Sequence, residues 1–465
     1  MTAVVRQPAA AAAAGLGGGQ DAFYARTRIV EPPLIVRGEG IYLHGDDGRR
    51  YIDVSSGAVV SNLGQGNERV LAAMAEQGRK LSFAYVRYVL HEPNLALSRR
   101  VAELAGRGFE RVLLASGGSE ANEMAIKFLR QHAYRTGQRS RTRVITCLPS
   151  YHGATLATLG WSGDTELEGP WGAMAEFSTK VPAPLTYRVP DGMTVEDSAL
   201  EAARALEREI LRLGPENVLA FMFEPVGGVA TGATVPPDVY FREIRRICTD
   251  YGVYLVFDEV MAACRTGTFL AAHHWPDALP DVVVMAKGLG AGYTPLGAVL
   301  APASMVDQVA ELGGFYLSHT YNANPISCAA GLAVLDELVE QDLLDRAARV
   351  GAYLKARLEE LRERSPIVGD VRGRGMLCAV ELVADKGTKA MLPIELRAGE
   401  HVRRLGLHHG LIILARRTNE GRFGEWFLVA PPLITTEEQV DDMVGRLEAT
   451  LADLAGELRA HGVIA

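Results

Sequence analysis

No stretch of this 465-residue chain approaches the roughly 18 consecutive apolar residues that a membrane-spanning helix needs. A basic excess is also missing: 48 Lys and Arg stand against 56 Asp and Glu, a formal net charge of −8. A face that neutralises phosphates needs the opposite balance, so the composition argues against a nucleic-acid partner. Cysteine is scarce. Cys147, Cys248, Cys264, Cys328 and Cys378 form no CxxC pair, and their spacing fits neither a disulfide framework nor a zinc site. A reducing, cytoplasmic setting is the expectation. No GxxxxGK[ST] loop occurs, and the early "GLGGG" follows no strand, which leaves no nucleotide loop to build on. No internal repeat is visible. The opening "MTAVVRQPAAAAAAGLGGGQ" lacks the leucine-rich core of a secretory signal, and residues 1–37 are expected to form a partly disordered leader.

What remains is ordinary soluble composition, 48% hydrophobic and 22% charged, in a chain long enough for two domains. "GIYLHGDDGRRYIDV" (40–54) alternates on either side of a Gly-Asp-Asp-Gly turn and predicts a hairpin. From about 70 to 325, "RVLLAS", "VITCL", "VLAFMF", "VYLVF", "VVVM" and "GAVLA" are short apolar runs separated by helical patterns. Ala121, Met124, Ala125, Phe128 and Leu129 recur at helical spacing, and a second helix is predicted over 237–251 between a Pro pair and Gly252. Continuous apolar strands alternating with helices imply an α/β fold whose mainly parallel sheet is covered on both faces. After about 325 long helices and a few strands suggest a smaller α+β domain. The predicted division is a segment 38–70 packing with that small domain, a large domain 71–325 and the small domain 326–465.

In an open parallel sheet, ligands bind beyond the carboxyl ends of the strands. After "RVLLAS" come Gly117, Gly118 and Ser119, opening a helix; after "VITCL" come Tyr151 and His152. After "VLAFMF" comes Glu224, after "VYLVF" come Asp258 and Val260, and after "VVVM" comes Lys287. Each group has a task if the ligand is a phosphorylated pyridine aldehyde. Bare backbone N–H groups and a hydroxyl at a helix start suit a phosphate. An ionised Asp258 keeps a pyridine nitrogen protonated, so that the ring draws electrons. Tyr151 could stack on the ring, and Lys287 could condense with the aldehyde. Taken singly, Ser119 reads as a helix cap, Asp258 as another cap, Tyr151 as core packing and Lys287 as a snorkelling amine. Five at one edge make those separate readings implausible.

The runs "SGGSEANEMAIKFLR", "SYHGAT", "FEPVGG", "FDEV…RTG", "MAKGLGAGYTPLGA" and "SHTYNANPISCAAGLAVL" resemble the class III aminotransferases, pyridoxal 5′-phosphate-dependent enzymes of fold type I. The resemblance extends from about 38 to 445. It implies that Gly118 and Ser119 hold the cofactor phosphate, with Gly117 beside them. Tyr151 and Val260 would take the two ring faces, Asp258 the ring nitrogen, and Lys287 the covalent link and the proton transfers. His152 and Glu224 would orient Asp258 and the ring. Thr320 would reach the phosphate of a neighbouring subunit, so a homodimer with shared sites is implied, with a tetramer left open.

The chain also departs from the family pattern. Members acting on ornithine, acetylornithine or 4-aminobutyrate begin the motif R-x-A-P-P-L with an Arg that clamps the 2-oxo acid; Leu428 stands there in this chain. The Glu that neutralises that Arg is replaced by Val229. Amine- and β-amino-acid-type members use a loop Arg instead, and "ARRTNEGRFGEW" offers Arg416, Arg417 and Arg422, with Arg87 as a further candidate. Cys264 lies in a segment one residue short, and Gln65 replaces the usual His of "LGH". The expected activity is transfer of an amino group from an amine or an ω- or β-amino acid to a small 2-oxo acid such as pyruvate. A racemase, decarboxylase or aminomutase of the same family is the alternative, since fold and cofactor do not fix the reaction.

Overall fold

The computed structural model describes residues 32–176, 178–415 and 419–464. Most of the expected leader, 1–31, lies outside the described residues, as do Arg416 and Arg417. The strands are β1 (Ile35–Glu39), β2 (Tyr42–Gly45), β3 (Arg50–Asp53), β4 (Arg111–Ala115), β5 (Arg143–Leu148), β6 (Thr179–Pro182), β7 (Val218–Phe223), β8 (Tyr254–Asp258), β9 (Val282–Met285), β10 (Gly297–Ala301), β11 (Val368–Arg374), β12 (Leu377–Leu382), β13 (Leu411–Ile412), β14 (Leu414–Ala415) and β15 (Glu425–Val429).

Seven of them form the central sheet, in the order β4-β10-β9-β8-β7-β5-β6. All neighbours are parallel except β10, which runs against both β4 and β9. The apolar runs are continuous because both faces are covered. Leu219, Met222, Val256, Val282 and Val284 point into one core, together with Met124, Ala125, Phe128 and Leu129 of helix Gly118–Arg135. Phe221, Phe223, Leu255, Phe257, Val283 and Met285 point into the other, against helices Val195–Leu213 and Asp238–Tyr251. The period of two assigns successive residues to opposite layers. Burying a side chain of this size contributes about 1.5–3 kcal/mol relative to exposure.

The predicted hairpin is β2–β3, and β3 pairs in parallel with β13, joining residues 50–53 to residues 411–412. A further sheet has the order β11-β12-β15-β14, with helices Leu343–Arg364 and Glu437–Ala460 following the chain around it. Between the sheets runs the segment after β3. Ser55 Oγ donates to Leu428 O at 2.7 Å and Ser56 Oγ to Ala430 O at 2.7 Å. From the central sheet's side, the buried Arg265 donates to Met376 O, Ala430 O and Pro431 O at 3.3, 3.1 and 2.9 Å. Among the described residues no helix is long and apolar enough to cross a membrane, and no cluster of potential ligands could hold a metal ion.

Candidate active site

Strands β4, β5, β7, β8 and β9 point the same way, so the residues that follow them share one edge of the sheet. A cavity of about 410 Å³ opens there. Gly117, Gly118 and Ser119 line it from the turn after β4, Tyr151 and His152 from beyond β5, and Glu224 from β7. Asp258 ends β8 and Val260 follows it, and Lys287 comes from beyond β9. The structure therefore brings nine of the ten proposed residues into one cavity.

Lys287 stands two residues beyond the fully buried β9. Its φ of 40° lies in the left-handed region, a conformation that costs a non-glycine residue on the order of 1–3 kcal/mol. The turn is closed by Gly290 N and Ala291 N, which donate to Lys287 O at 3.1 and 2.9 Å. Gly288 follows because a Cβ there would sit 2.3 Å from Asn62 Nδ2. Desolvation brings the Lys287 amine down to about 8, with Asp258 and Glu224 pulling the other way. A neutral, nucleophilic amine is thus accessible near physiological pH.

Asp258 is buried, and three donors converge on it. Val260 N donates to Oδ1 at 3.0 Å, and Asn122 Nδ2 to Oδ2 at 2.8 Å. His152 Nδ1 lies 2.8 Å from Oδ2, and because a carboxylate only accepts, Nδ1 carries the hydrogen. His152 Nε2 is buried without a hydrogen-bond partner among the described residues. Asn122 also donates to His152 O at 2.7 Å. It is a residue that strand-end reasoning missed; the available signal was a polar side chain beside the apolar stripe of its helix. Glu224 makes no hydrogen bond to Asp258. Its Oε2 accepts from Tyr151 N and its Oε1 from Gly228 N, each at 3.0 Å, and burial pushes its carboxyl up. Its hydrogen bonds thus tie the Tyr151 backbone to the Gly228 backbone.

The turn before helix Gly118–Arg135 leaves backbone N–H groups open at a helix start. A Cβ on Gly118 would approach Val260 Cγ1 and Cγ2 to 3.0 and 3.1 Å, so the glycine keeps the turn close to the Val260 side of the cavity. Ser119 Oγ accepts from Ala154 N at 3.0 Å and keeps its own hydrogen to donate. An anion cradle, a buried acceptor-only carboxylate and a desolvated amine share one cavity, and these features fit pyridoxal phosphate.

The remaining candidates are placed differently. Thr320 is exposed and does not line this cavity. Leu428 does not line it either: it packs wholly in the apolar core, and its cross-strand partner Leu414 is what reaches the cavity from that hairpin. Val229 does line it, with Ala58, Val60, Met261 and Leu296. Arg422 is exposed and pairs with Glu420 at 2.8 Å, and Arg87 is exposed beside a separate groove.

Fold and site together define a pyridoxal-phosphate enzyme of the α/β type. The family model for class III aminotransferases matches residues 23–451, and the chain belongs to that family. The diaminobutyrate–2-oxoglutarate transaminase of Halomonas elongata is 35% identical over 93% of this chain and 92% of its own. The putrescine–pyruvate aminotransferase of Pseudomonas aeruginosa is 31% identical over 88% of each. An omega-transaminase of Pseudomonas jessenii, solved in complex with PMP, superposes with a TM-score of 0.85 at 30% identity, covering 91% of this chain and 93% of the other. The protein is an aminotransferase that depends on pyridoxal phosphate.

Proposed function

We propose that this aminotransferase takes amines or ω- or β-amino acids as donors and a small 2-oxo acid such as pyruvate as acceptor. The observation that carries this reading is the cavity wall. Val229, Leu414, Ala58, Val60, Met261 and Leu296 are apolar, and among the described residues no arginine lines the cavity. A second carboxylate buried there without a cation would cost several kcal/mol. The two curated relatives differ in acceptor by their names, so membership alone leaves the choice open; the apolar wall favours the pairing of an amine with pyruvate.

When bound, the cofactor supplies an electron sink for charge developing on the donor carbon. In this reading the Gly117–Ser119 turn holds its phosphate, Tyr151 and Val260 flank its ring, and Asp258 keeps the ring nitrogen protonated. Asn122 and His152 fix the Asp258 carboxylate, and Glu224 fixes the Tyr151 backbone. Lys287 Nζ removes the proton from the donor carbon and later returns one to the acceptor's former carbonyl carbon.

The same reading makes the protein a homodimer in the cytoplasm, with Thr320 serving the partner's cofactor. Beside Thr320 in the chain is Tyr321, and Phe83, Tyr88 and Tyr321 are 42%, 83% and 63% exposed, with Tyr88 packed edge-on against Tyr85. Phe83 meets Tyr321 at 5.9 Å, and Tyr85 Oη lies 3.2 Å from Ser318 Oγ, so they form one surface. Such an apolar patch supports a protein contact. The division at about 70 and 325 belongs to this proposal too. A donor panel run with pyruvate, recording alanine and CO2, tests the reaction: alanine without CO2 supports it, and racemised donor or CO2 without alanine refutes it.

A further inference from the structure

Val229 forms part of the cavity wall, and its position is set from two sides. On one side Gly228 N donates to Glu224 Oε1 at 3.0 Å. On the other, the Val229 carbonyl accepts the indole N–H of Trp426 at 2.7 Å, from a residue 197 positions away on β15. Trp426 is 3% exposed, and its N–H can only donate, so losing this acceptor would leave a buried donor unpaired.

The same loop is moulded against what lies beside the indole. The Arg372 guanidinium stands 5.2 Å from the Trp426 ring centre and is buried with Asp370, at 3.0 Å, and with Glu381. Arg372 Nη2 also donates to Thr231 O at 3.3 Å. At Gly232 a Cβ would fall 2.8 Å from the Trp426 ring and 2.5 Å from Arg372 Nη2. Gly227 N to Thr234 O at 2.8 Å and Ala233 N to Gly228 O at 3.2 Å close the loop on itself. Those two bonds fix its shape; Glu224, Trp426 and Arg372 fix its place.

We infer that Trp426 is a positioning residue for donor specificity: by holding the Val229 carbonyl, it sets how far this wall reaches into the cavity and so how bulky an amine is accepted. The inference rests on the transaminase reading above. Trp426 does not line the cavity, and its effect on the donor passes through Val229.

The test compares two amines with pyruvate, one straight-chained and one branched beside the amine-bearing carbon, on the full-length protein loaded with pyridoxal phosphate. Their dissociation constants are measured alongside, by titrating the cofactor's absorbance. Trp426→Phe removes the donor and keeps a ring. It should raise the branched-to-straight ratio of kcat/KM and of affinity by about threefold to tenfold, the effect of one lost hydrogen bond. Val229→Ala should raise the same ratio, and adding Trp426→Phe to it should change little more, as coupled neighbours do. Trp275→Phe is the control: it also deletes a buried indole donor, to Asp238 at 2.9 Å, outside the cavity lining. It should lower Tm without moving the ratio. An unmoved ratio in Trp426→Phe overturns the inference, as does an equal shift in Trp275→Phe. If Trp426→Phe does not fold, Val229→Ala decides, and an unmoved ratio there overturns it too. Amine binding without amino transfer by the unaltered protein would sink the transaminase reading alone, because the affinity ratios remain measurable.

Discussion

Asp258 Oδ2 and His152 Nδ1 stand 2.8 Å apart where neither side chain reaches bulk solvent. Asn122 ties the two together by donating both to Asp258 Oδ2 and to the His152 carbonyl. A charge held by three donors in a dry setting cannot be weakened at one donor without loss at the carboxylate. Asp258→Asn should lower kcat by about 10²–10³-fold, the range seen when one electrostatic partner of a reacting group is removed. His152→Ala and Asn122→Ala should each cost about tenfold to a hundredfold, as hydrogen bonds to charged groups do. Steady-state kinetics at saturating cofactor measure both, and a His152→Ala loss as large as that of Asp258→Asn would show that His152 does more than orient.

Lys287 carries a pH prediction whose sign follows from its environment. Its amine is lowered to about 8 from an ordinary 10.5. Between those values the folded apoprotein has released a proton that the unfolded chain still holds, so this group makes stability rise with pH across that window. Below about 8 both states hold the proton, and Lys287 then contributes its full cost of burying a charge. Mass-spectrometric labelling of the apoprotein with an amine-reactive reagent should show Lys287 reacting with an inflection near 8, well below the surface lysines. An inflection near 10.5 would contradict the buried setting. Lys287→Ala should fold and lose turnover by several orders of magnitude, and borohydride should no longer fix the cofactor.

Much of this site was legible before any coordinates. A parallel strand buried on both faces must be apolar throughout, so the first polar or glycine residue after it marks the ligand edge. Asp258 closes such a run and Lys287 is the first polar residue after one. What stayed hidden depends on contacts between distant residues. Asn122 sits inside a helix that reads as amphipathic, and its contact with Asp258 spans 136 positions. Leu414 belongs to a two-residue strand too short for a period. Leu428 was placed by motif position, and the motif does not state which member of the β14–β15 pair reaches the cavity. The link between Val229 and Trp426 has no local signal at all.

Thr320 makes the assembly testable. If it serves the partner's cofactor, Thr320→Ala and Lys287→Ala protomers should complement. A mixed dimer has one site bearing both lesions and one bearing neither, so activity should return towards a quarter of normal for random exchange, on the order of one intact site in half of the dimers. Both parents should be nearly inactive for this readout, so if Thr320→Ala alone retains most activity, the cofactor affinity of each mixture is measured instead. A fully active monomer by sedimentation at assay concentration would refute the shared site.

Acceptor choice is the sharpest consequence of the cavity wall. Val229 and Leu414 present apolar surface to the cavity, and Leu428, the cross-strand partner of Leu414, is buried in the core. Restoring a charge from this side would need a side chain longer than leucine at 428, together with a partner at 229 to neutralise it when a second carboxylate is absent. With neither present, kcat/KM for pyruvate should exceed that for 2-oxoglutarate with a common donor by about tenfold or more, since burying an unpaired carboxylate costs several kcal/mol. The acceptor's single carboxylate still needs a cation. Arg422 is engaged with Glu420 at the surface, so its substitution by Ala should have at most a small effect on acceptor use. The measurement is the acceptor ratio for the unaltered protein and for Ala at 416, 417, 422 and 87. Clear preference for 2-oxoglutarate would overturn the reading of the wall. No effect from any of the four would place the carboxylate against a group outside this set.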